Sequence, residues 1–142
     1  MPILLLPRSL CTAESRSRFG WLLLRVVLAG IIGAHGWARL LADGVAPFGG
    51  FLDTQGFPGG FYWAAAVTGL EIVGSALLLL GRLVAALAAS LSLVYLVGIA
   101  LVHAKAGWFV VGLGRNGSEF SVLLIACLLA TALQHVRSAG EA

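Results

Sequence analysis

The sequence predicts an all-α membrane protein, a transmembrane four-helix up-down-up-down bundle with a short interfacial helix in the first outer loop. Composition is the first reason: 60% of the 142 residues are hydrophobic and only 11% are charged, whereas a soluble domain carries about 25% charged residues. The second reason is that four apolar stretches are each about long enough to cross the ~30 Å hydrocarbon layer as a helix. With this few charges there is not enough polar surface to cover a soluble globular protein. We therefore expect the lipid bilayer to be the main partner.

Hydropathy divides the chain into one membrane domain, 19–137, between a cytoplasmic tail, 1–18, and a short cytoplasmic C-terminal tail, 138–142. The predicted spans cover about 19–41, 61–80, 83–103 and 118–135. The first residues do not fit a signal peptide, because Pro7 interrupts their apolar run and no basic residue precedes it.

The first span carries two polar residues in an otherwise apolar segment. His35 and Arg39 are four residues apart, so a helix places them on one face. Because polar groups are costly in lipid, this face should turn toward other helices or a wet cavity. Arg25 lies near the start of the span and is expected to extend back to the headgroups. A stripe of small residues at four-residue spacing predicts close helix contact: Gly30, Ala34 and Ala38.

The connector after the first span, 43–60, is rich in glycine, proline and aromatic residues. Pro47 near a helix start and Gly56 after a helix end predict one short helix at about 48–55. Its apolar side would lie on the membrane surface. The alternative is a loop without regular structure.

The second and third spans hold the other candidate polar groups. Glu71 lies near the middle of the second span, and we expect it to pair with Arg39 or His35 inside the bundle. A purely structural pairing that sets the helix register is the alternative to a chemical role. In the third span, residues at helical spacing predict a polar stripe that ends at His103: Ser92, Tyr95, Ile99 and His103.

The fourth span is preceded by a turn and an N-cap at Asn116–Ser118. Glu119 then falls in the first turn, and we interpret it as a helix-terminal charge rather than a ligand. Cys11 and Cys127 are far apart and form no CxxC motif, which argues against a thiol-redox site.

The basic residues predict the orientation. Six lie in or near the tail, the turn between spans two and three, or the C-terminus: Arg8, Arg16, Arg18, Arg25, Arg82 and Arg137. Three lie in or near the other connectors: Arg39, Lys105 and Arg115. The positive-inside rule therefore places both termini in the cytoplasm. These scattered charges form no basic patch, so the net charge of +3 does not indicate a nucleic-acid partner.

With this topology the polar residues and most aromatics gather in the outer half of the bundle. The sequence therefore predicts a polar pocket there for a small amphipathic molecule. The predicted ligand-binding residues are His35, Trp37, Arg39, Trp63, Glu71, His103 and Phe109. A haem between His35 and His103, or a metal ion with Glu71 as third ligand, uses suitable residue types, but no spacing here is diagnostic of either site. We expect neither haem nor metal.

Several short motifs, in this order, resemble those of the DoxX family. Gly33-Ala34-His35-Gly36 followed by Arg39 is similar to its first-span signature, although lysine is usual in place of the arginine. Glu71 and Gly74 in LEIVGSALLLLG are similar to the second-span motif. The family's last motif is similar to the stretch that begins at His103, continues through an aromatic loop and ends with Gly117-Ser118-Glu119-Phe120. The resemblance extends over about 16–137.

The resemblance implies a four-span protein of the bacterial inner (plasma) membrane. Some relatives are membrane subunits of thiosulfate:quinone oxidoreductase, and others are proposed scaffolds for redox or detoxification enzymes. We therefore expect a subunit of a redox complex that binds a quinone, with Glu71 and His103 exchanging protons and Trp37, Trp63 and Phe109 packing the ring. The expected partners are the bilayer, a redox protein and a second copy of the chain.

Thiosulfate-oxidising chemistry is not expected from this chain alone, because it carries no attached soluble domain. A non-catalytic scaffold and a small-solute transporter are the alternatives, although the latter usually shows an inverted repeat or broken helices.

Overall fold

The computed structural model describes residues 12–112 and 115–135, which form helices and their connections and contain no strand. The helices are α1 (Ala13–Leu41), α2 (Val45–Thr54), α3 (Gly60–Leu79), α4 (Val84–Ala106) and α5 (Glu119–His135). The all-α prediction is confirmed. Three helices, α1, α3 and α4, are long and apolar enough to cross a membrane, and α5 is a shorter apolar helix of 17 residues.

α1 begins at Ala13, before the predicted start of the first span near Phe19. The Thr12 side chain caps it by accepting a hydrogen bond from the backbone N–H of Ser15 at 3.1 Å. Glu14 in the first turn forms an ion pair with Arg18 at 2.6 Å. Hydropathy missed this turn because its residues are polar. Residues 1–11 and 136–142, with the predicted tail ends, Arg8, Cys11 and Arg137, lie outside the described residues.

The connector contains the expected short helix, and α2 packs against the start of α3. Pro47 lies in the first turn of α2, where a backbone N–H has no partner within the helix. A Cβ atom added to Gly49 would lie 2.7 Å from Cα of Phe61, so this close approach requires glycine. The Asp53 carboxylate accepts a hydrogen bond from the N–H of Gly60 at 3.0 Å, which satisfies a free donor at the start of α3.

The contact between α1 and α3 uses a different small-residue stripe from the predicted one. Gly33 and Gly36 face α3, and a Cβ on Gly36 would lie 2.8 Å from Cγ1 of Ile72. The predicted stripe is wrong as a contact within the chain, because Gly30, Ala34 and Ala38 are all exposed. The reason is geometric: at 100° per residue, Gly36 shares a helix face with Arg39, which contacts α3, whereas Ala38 lies about 100° away from it.

One apolar core joins α1, α3, α4 and α5. Its buried members are Leu28, Ala29, Ile32, Leu78, Val84, Ala88, Leu91, Leu124 and Leu128. We call the end of the molecule that holds the α3–α4 turn, residues 80–83, the turn end, and the end that holds α2 and residues 107–118 the loop end. Most core residues lie toward the turn end.

Arg25, whose side chain we expect to extend back to the headgroups, also makes contacts within the protein. It is half-buried at the turn end, where its Nη1 lies 3.1 Å from Nε2 of His135 in α5. The guanidinium also lies against Gly81, whose added Cβ would be 3.0 Å from Nη1. The guanidinium of Arg25, in α1, thus contacts both α5 and the α3–α4 turn.

Candidate functional site

A cavity of about 560 Å³ lies at the loop end, between α1 and α3 on one side and α4 and α5 on the other. All five helices and the loop after α4 contribute to its wall. Much of the wall is aromatic or aliphatic: Phe48, Phe51, Leu52, Phe57, Trp63, Val67, Leu93, Leu101, Val102 and Phe120. The polar residues in the wall are His35, Arg39, Glu71, Tyr95, His103, Asn116 and Ser121. An apolar wall with a few polar groups is typical of sites for small organic molecules.

Arg39 and Glu71 form a nearly buried ion pair in the cavity wall. Nη1 of Arg39 lies 2.5 Å from Oε2 of Glu71, and the side chains are 21% and 3% exposed. The predicted pairing of Glu71 within the protein is confirmed, with Arg39 rather than His35 as the partner. Because the two charges cancel, the pair adds polarity to the wall without net charge.

Two further residues hold the Arg39 guanidinium in place. Nη1 also donates to the Thr68 hydroxyl at 3.1 Å, and Thr68 in turn donates to the backbone carbonyl of Ala64 at 2.7 Å. Phe48 of α2 lies beneath the guanidinium, whose Cζ is 4.7 Å from the ring centroid, a cation–π geometry. Sequence analysis missed Thr68 and Phe48. Thr68 lies three residues before Glu71, on the same helix face, which is the signal that could have found it.

The two cavity histidines make analogous hydrogen bonds. Nδ1 of His35 lies 2.9 Å from the carbonyl oxygen of Ile31, and Nδ1 of His103 lies 2.7 Å from that of Asn116. A carbonyl only accepts, so Nδ1 carries the proton in both rings. In the neutral form each histidine therefore keeps Nε2 as an acceptor, and in the protonated form Nε2 becomes a donor.

Two buried hydroxyl groups on α4 make no hydrogen bond within the described part of the protein. They are the Oη of Tyr95, in the cavity wall, and the Oγ of Ser92. Buried polar groups are nearly always hydrogen-bonded, so these two hydroxyls mark an unsatisfied polar region beside the cavity.

The wall formed by α4 includes an irregular helical turn. Residues Ile99–His103 form a π-helical turn between regular α-helical segments. Three of its residues, Leu101, Val102 and His103, line the cavity, whereas Ile99 does not. The predicted stripe assumed α-helical spacing throughout, and the wider π turn changes which side chains share a face. π-helical turns occur often at functional sites.

The loop after α4 folds back on itself at the start of α5. Glu119 accepts a hydrogen bond from the N–H of Val110 at 2.9 Å, and its own N–H donates to the Trp108 carbonyl at 3.0 Å. Glu119 does not line the cavity. Gly117 is buried here, and an added Cβ would overlap the Trp108 backbone. These contacts give Glu119 a structural role in the loop.

The structure brings together five of the seven predicted ligand-binding residues: His35, Arg39, Trp63, Glu71 and His103. Trp37 does not line the cavity and is 50% exposed, because it lies about 200° around α1 from both His35 and Arg39. Phe109 is 42% exposed, and its neighbour Val110 takes the place in the wall. In the described ranges, no group of three or more His, Cys, Asp or Glu residues is placed to hold a metal ion.

Comparison with known proteins gives one family match. The DoxX family model matches residues 20–104, which include His35, Arg39, Glu71 and His103. The match ends before the Gly117–Phe120 motif that also resembles this family. Comparisons with curated proteins and with solved structures gave no match. Because the matched segment covers more than half of the chain, the protein belongs to the DoxX family.

Proposed function

We propose that the loop-end cavity binds the headgroup of a quinone and that the protein is the inner-membrane subunit of a redox complex. The observation that carries this proposal is the cavity itself: its volume of about 560 Å³ and its largely aromatic and aliphatic wall suit a flat, uncharged ring. The neutralised Arg39–Glu71 pair favours a neutral ligand over an ion, which also argues against a transporter of charged solutes.

The polar groups in the wall match what a quinone carbonyl requires. The Tyr95 hydroxyl is buried and has no partner in the described part of the chain, and a small turn of this wall residue would let it donate to a ligand carbonyl. Among the described residues, Nε2 of His35 and Nε2 of His103 have no hydrogen-bond partner and can hold or release a proton, and Glu71 is the third proton-exchanging candidate. Phe48, Phe51, Phe57 and Trp63 would pack the ring, so Trp37 and Phe109 are not needed for that task. A bound quinone would carry electrons to or from a partner protein.

The topology that places this cavity is also part of the proposal. We assign α1, α3, α4 and α5 to four alternating spans, with both termini in the cytoplasm and the loop end outward. Support comes from the shared core of these helices and from the basic residues near the turn end, Arg18, Arg25 and Arg82. At 1.5 Å per residue, the 17 described residues of α5 extend about 25 Å, which is most of the ~30 Å hydrocarbon layer.

Quinone titration of the purified protein tests the site. The variants His35→Ala and Tyr95→Phe each change a polar group in the wall, and we expect each to weaken binding by about tenfold or less, as for the loss of one hydrogen bond. Glu71→Ala also leaves Arg39 without its counter-ion and gives the wall a net positive charge, so we expect a larger loss of binding to a neutral ring. Trp37→Ala is the matched control, because it removes an aromatic residue outside the cavity.

A cavity-filling pair of variants separates specific binding from partition into the detergent. Gly98 lines the cavity, and an added Cβ meets nothing within 4 Å, so Gly98→Leu should fill space without a clash at its Cβ and abolish binding. Gly30→Leu places the same side chain on an exposed helix face with equally open space and should bind normally. Undetectable binding in every protein, or equal binding in all of them, would favour the non-catalytic scaffold instead.

A further inference from the structure

A second cavity, of about 240 Å³, lies at the turn end and shares no lining residue with the candidate quinone site. It is formed by the first half of α1 and the last turn of α5. Its wall contains two arginines, a tryptophan and several other polar groups, namely Ser17, Arg18, Trp21, Arg25, Gln134 and His135. The proposed quinone site makes no use of these residues.

Arg25 supplies positive charge to this cavity. Within residues 12–112 and 115–135, no carboxylate forms an ion pair with Arg25, and its Nε is buried without a hydrogen-bond partner. The charge of Arg18, in contrast, is offset by Glu14 in an exposed ion pair at 2.6 Å. An anion in this cavity would therefore be stabilised more by an ion pair with Arg25 than by one with Arg18.

His135 does not compensate the charge of Arg25. Its Nδ1 lies 2.9 Å from the Thr131 carbonyl and therefore carries the proton, which leaves Nε2 to accept from Nη1 of Arg25 at 3.1 Å. In this arrangement the imidazole is neutral. Among the described residues the half-buried guanidinium of Arg25 thus has no counter-ion, which is costly. Its planar fork of donors matches the oxygens of a phosphate group.

We infer that the turn-end cavity binds the phosphate ester of an anionic molecule, with Arg25 as the main anchor. Ser17 and Gln134 add a hydroxyl and an amide donor to the same wall. A phosphate ester at this end could belong to a lipid headgroup or to a soluble metabolite, and both present the same oxygens. Tryptophan is enriched at headgroup depth, so Trp21 in the wall favours a cavity at the depth of a lipid phosphate.

Binding measurements on the full-length protein in a non-ionic detergent test this inference. The probes are phosphatidylglycerol, zwitterionic phosphatidylcholine and soluble glycerol phosphate, measured by native mass spectrometry and calorimetry. We expect Arg25→Gln to weaken phosphatidylglycerol binding by about tenfold or more, as expected for loss of a charge-assisted hydrogen bond. Arg82→Gln is the matched control, because Arg82 is an exposed arginine near the same end that does not line the cavity.

A second variant keeps the test decisive if Arg25→Gln does not fold. Ser17→Phe changes an exposed residue, leaves Arg25 intact and fills the cavity, so it should weaken binding while helicity by circular dichroism is retained. Binding of phosphatidylglycerol alone supports the site with a lipid as the ligand, and equal binding of glycerol phosphate supports it with a soluble ester. Unchanged binding in Ser17→Phe, an equal loss in Arg82→Gln, or equal affinity for phosphatidylcholine would overturn it.

Discussion

Arg39 connects four structural features at the loop end. Its guanidinium meets Glu71 and Thr68 of α3, lies over the Phe48 ring of α2, and forms part of the cavity wall. The backbone carbonyl of Arg39 also accepts the N–H of Gly44 at 2.8 Å, which fixes the turn between α1 and α2. One side chain therefore couples the position of the short helix to the pair that borders the ligand cavity.

This geometry predicts an asymmetry between variants of the ion pair. Arg39→Ala leaves the Glu71 carboxylate, 3% exposed, without its counter-ion, and we expect a loss of about 3–5 kcal/mol in the free energy of unfolding. Glu71→Gln keeps an oxygen that can accept from Arg39, whose side chain is 21% exposed, and should cost about 1–2 kcal/mol. Denaturation of both variants in detergent, followed by circular dichroism, measures the difference. A larger loss in Glu71→Gln would contradict a structural role for the pair.

At the scale of helices, the contact between α1 and α3 depends on glycine at two positions of α1. A methyl group on Gly36 would lie 2.8 Å from Cγ1 of Ile72 and 2.9 Å from Cβ of Glu71, closer than packed side chains allow. Glu71 lies at this contact, so any shift of α3 away from α1 also moves the carboxylate relative to Arg39. The close approach of the two helices thus supports the geometry of the cavity wall.

We therefore expect Gly36→Ala to destabilise the protein by about 1–3 kcal/mol, the usual cost of overpacking. Gly30→Ala is the matched control on the same helix, because an added Cβ meets nothing within 4 Å there. Alanine favours a helix over glycine by about 0.5–1 kcal/mol, so the control should be neutral or slightly more stable. Thermal unfolding in detergent compares the two variants. Equal stability of both would mean that α3 tolerates a shift at this contact.

At the scale of the whole molecule, the two ends differ in chemistry. The turn end holds a closely packed core and basic residues such as Arg25, and the loop end holds the larger cavity with its aromatic wall. The proposed orientation places the first in the cytoplasm and the second outward.

Reporter fusions test this orientation directly. A reporter fused after Gly81, in the α3–α4 turn, should behave as cytoplasmic, and one inserted at Gly50, in α2, should behave as external. Gly81 has a φ of +71° and follows α3, so a fusion there begins beyond the helix. The reverse pattern of reporter activity would invert the topology and place the loop-end cavity on the cytoplasmic side.

The sequence alone determined the all-α class, the approximate helices, the DoxX relationship and the pairing of Glu71 inside the protein, whereas the structure selected Arg39 over His35 as its partner. These follow from local properties. In lipid, a long apolar segment forms a helix because a helix satisfies the backbone hydrogen bonds within the segment, and an isolated buried charge needs a partner. Periodicity on α1 also indicated that His35 and Arg39 share a face, and both line the cavity.

Only the tertiary structure decided which face of each helix meets its neighbours. Gly33 and Gly36 contact α3, rather than the stripe of Gly30, Ala34 and Ala38, because small residues permit close approach on any face and the partner helix selects one. Three other features depend in the same way on how whole helices pack. They are the π-helical turn at Ile99–His103, the cation–π contact of Phe48 and the placement of Trp37 outside the cavity wall. Sequence periodicity describes one helix at a time, whereas a cavity is the space that several helices leave between them.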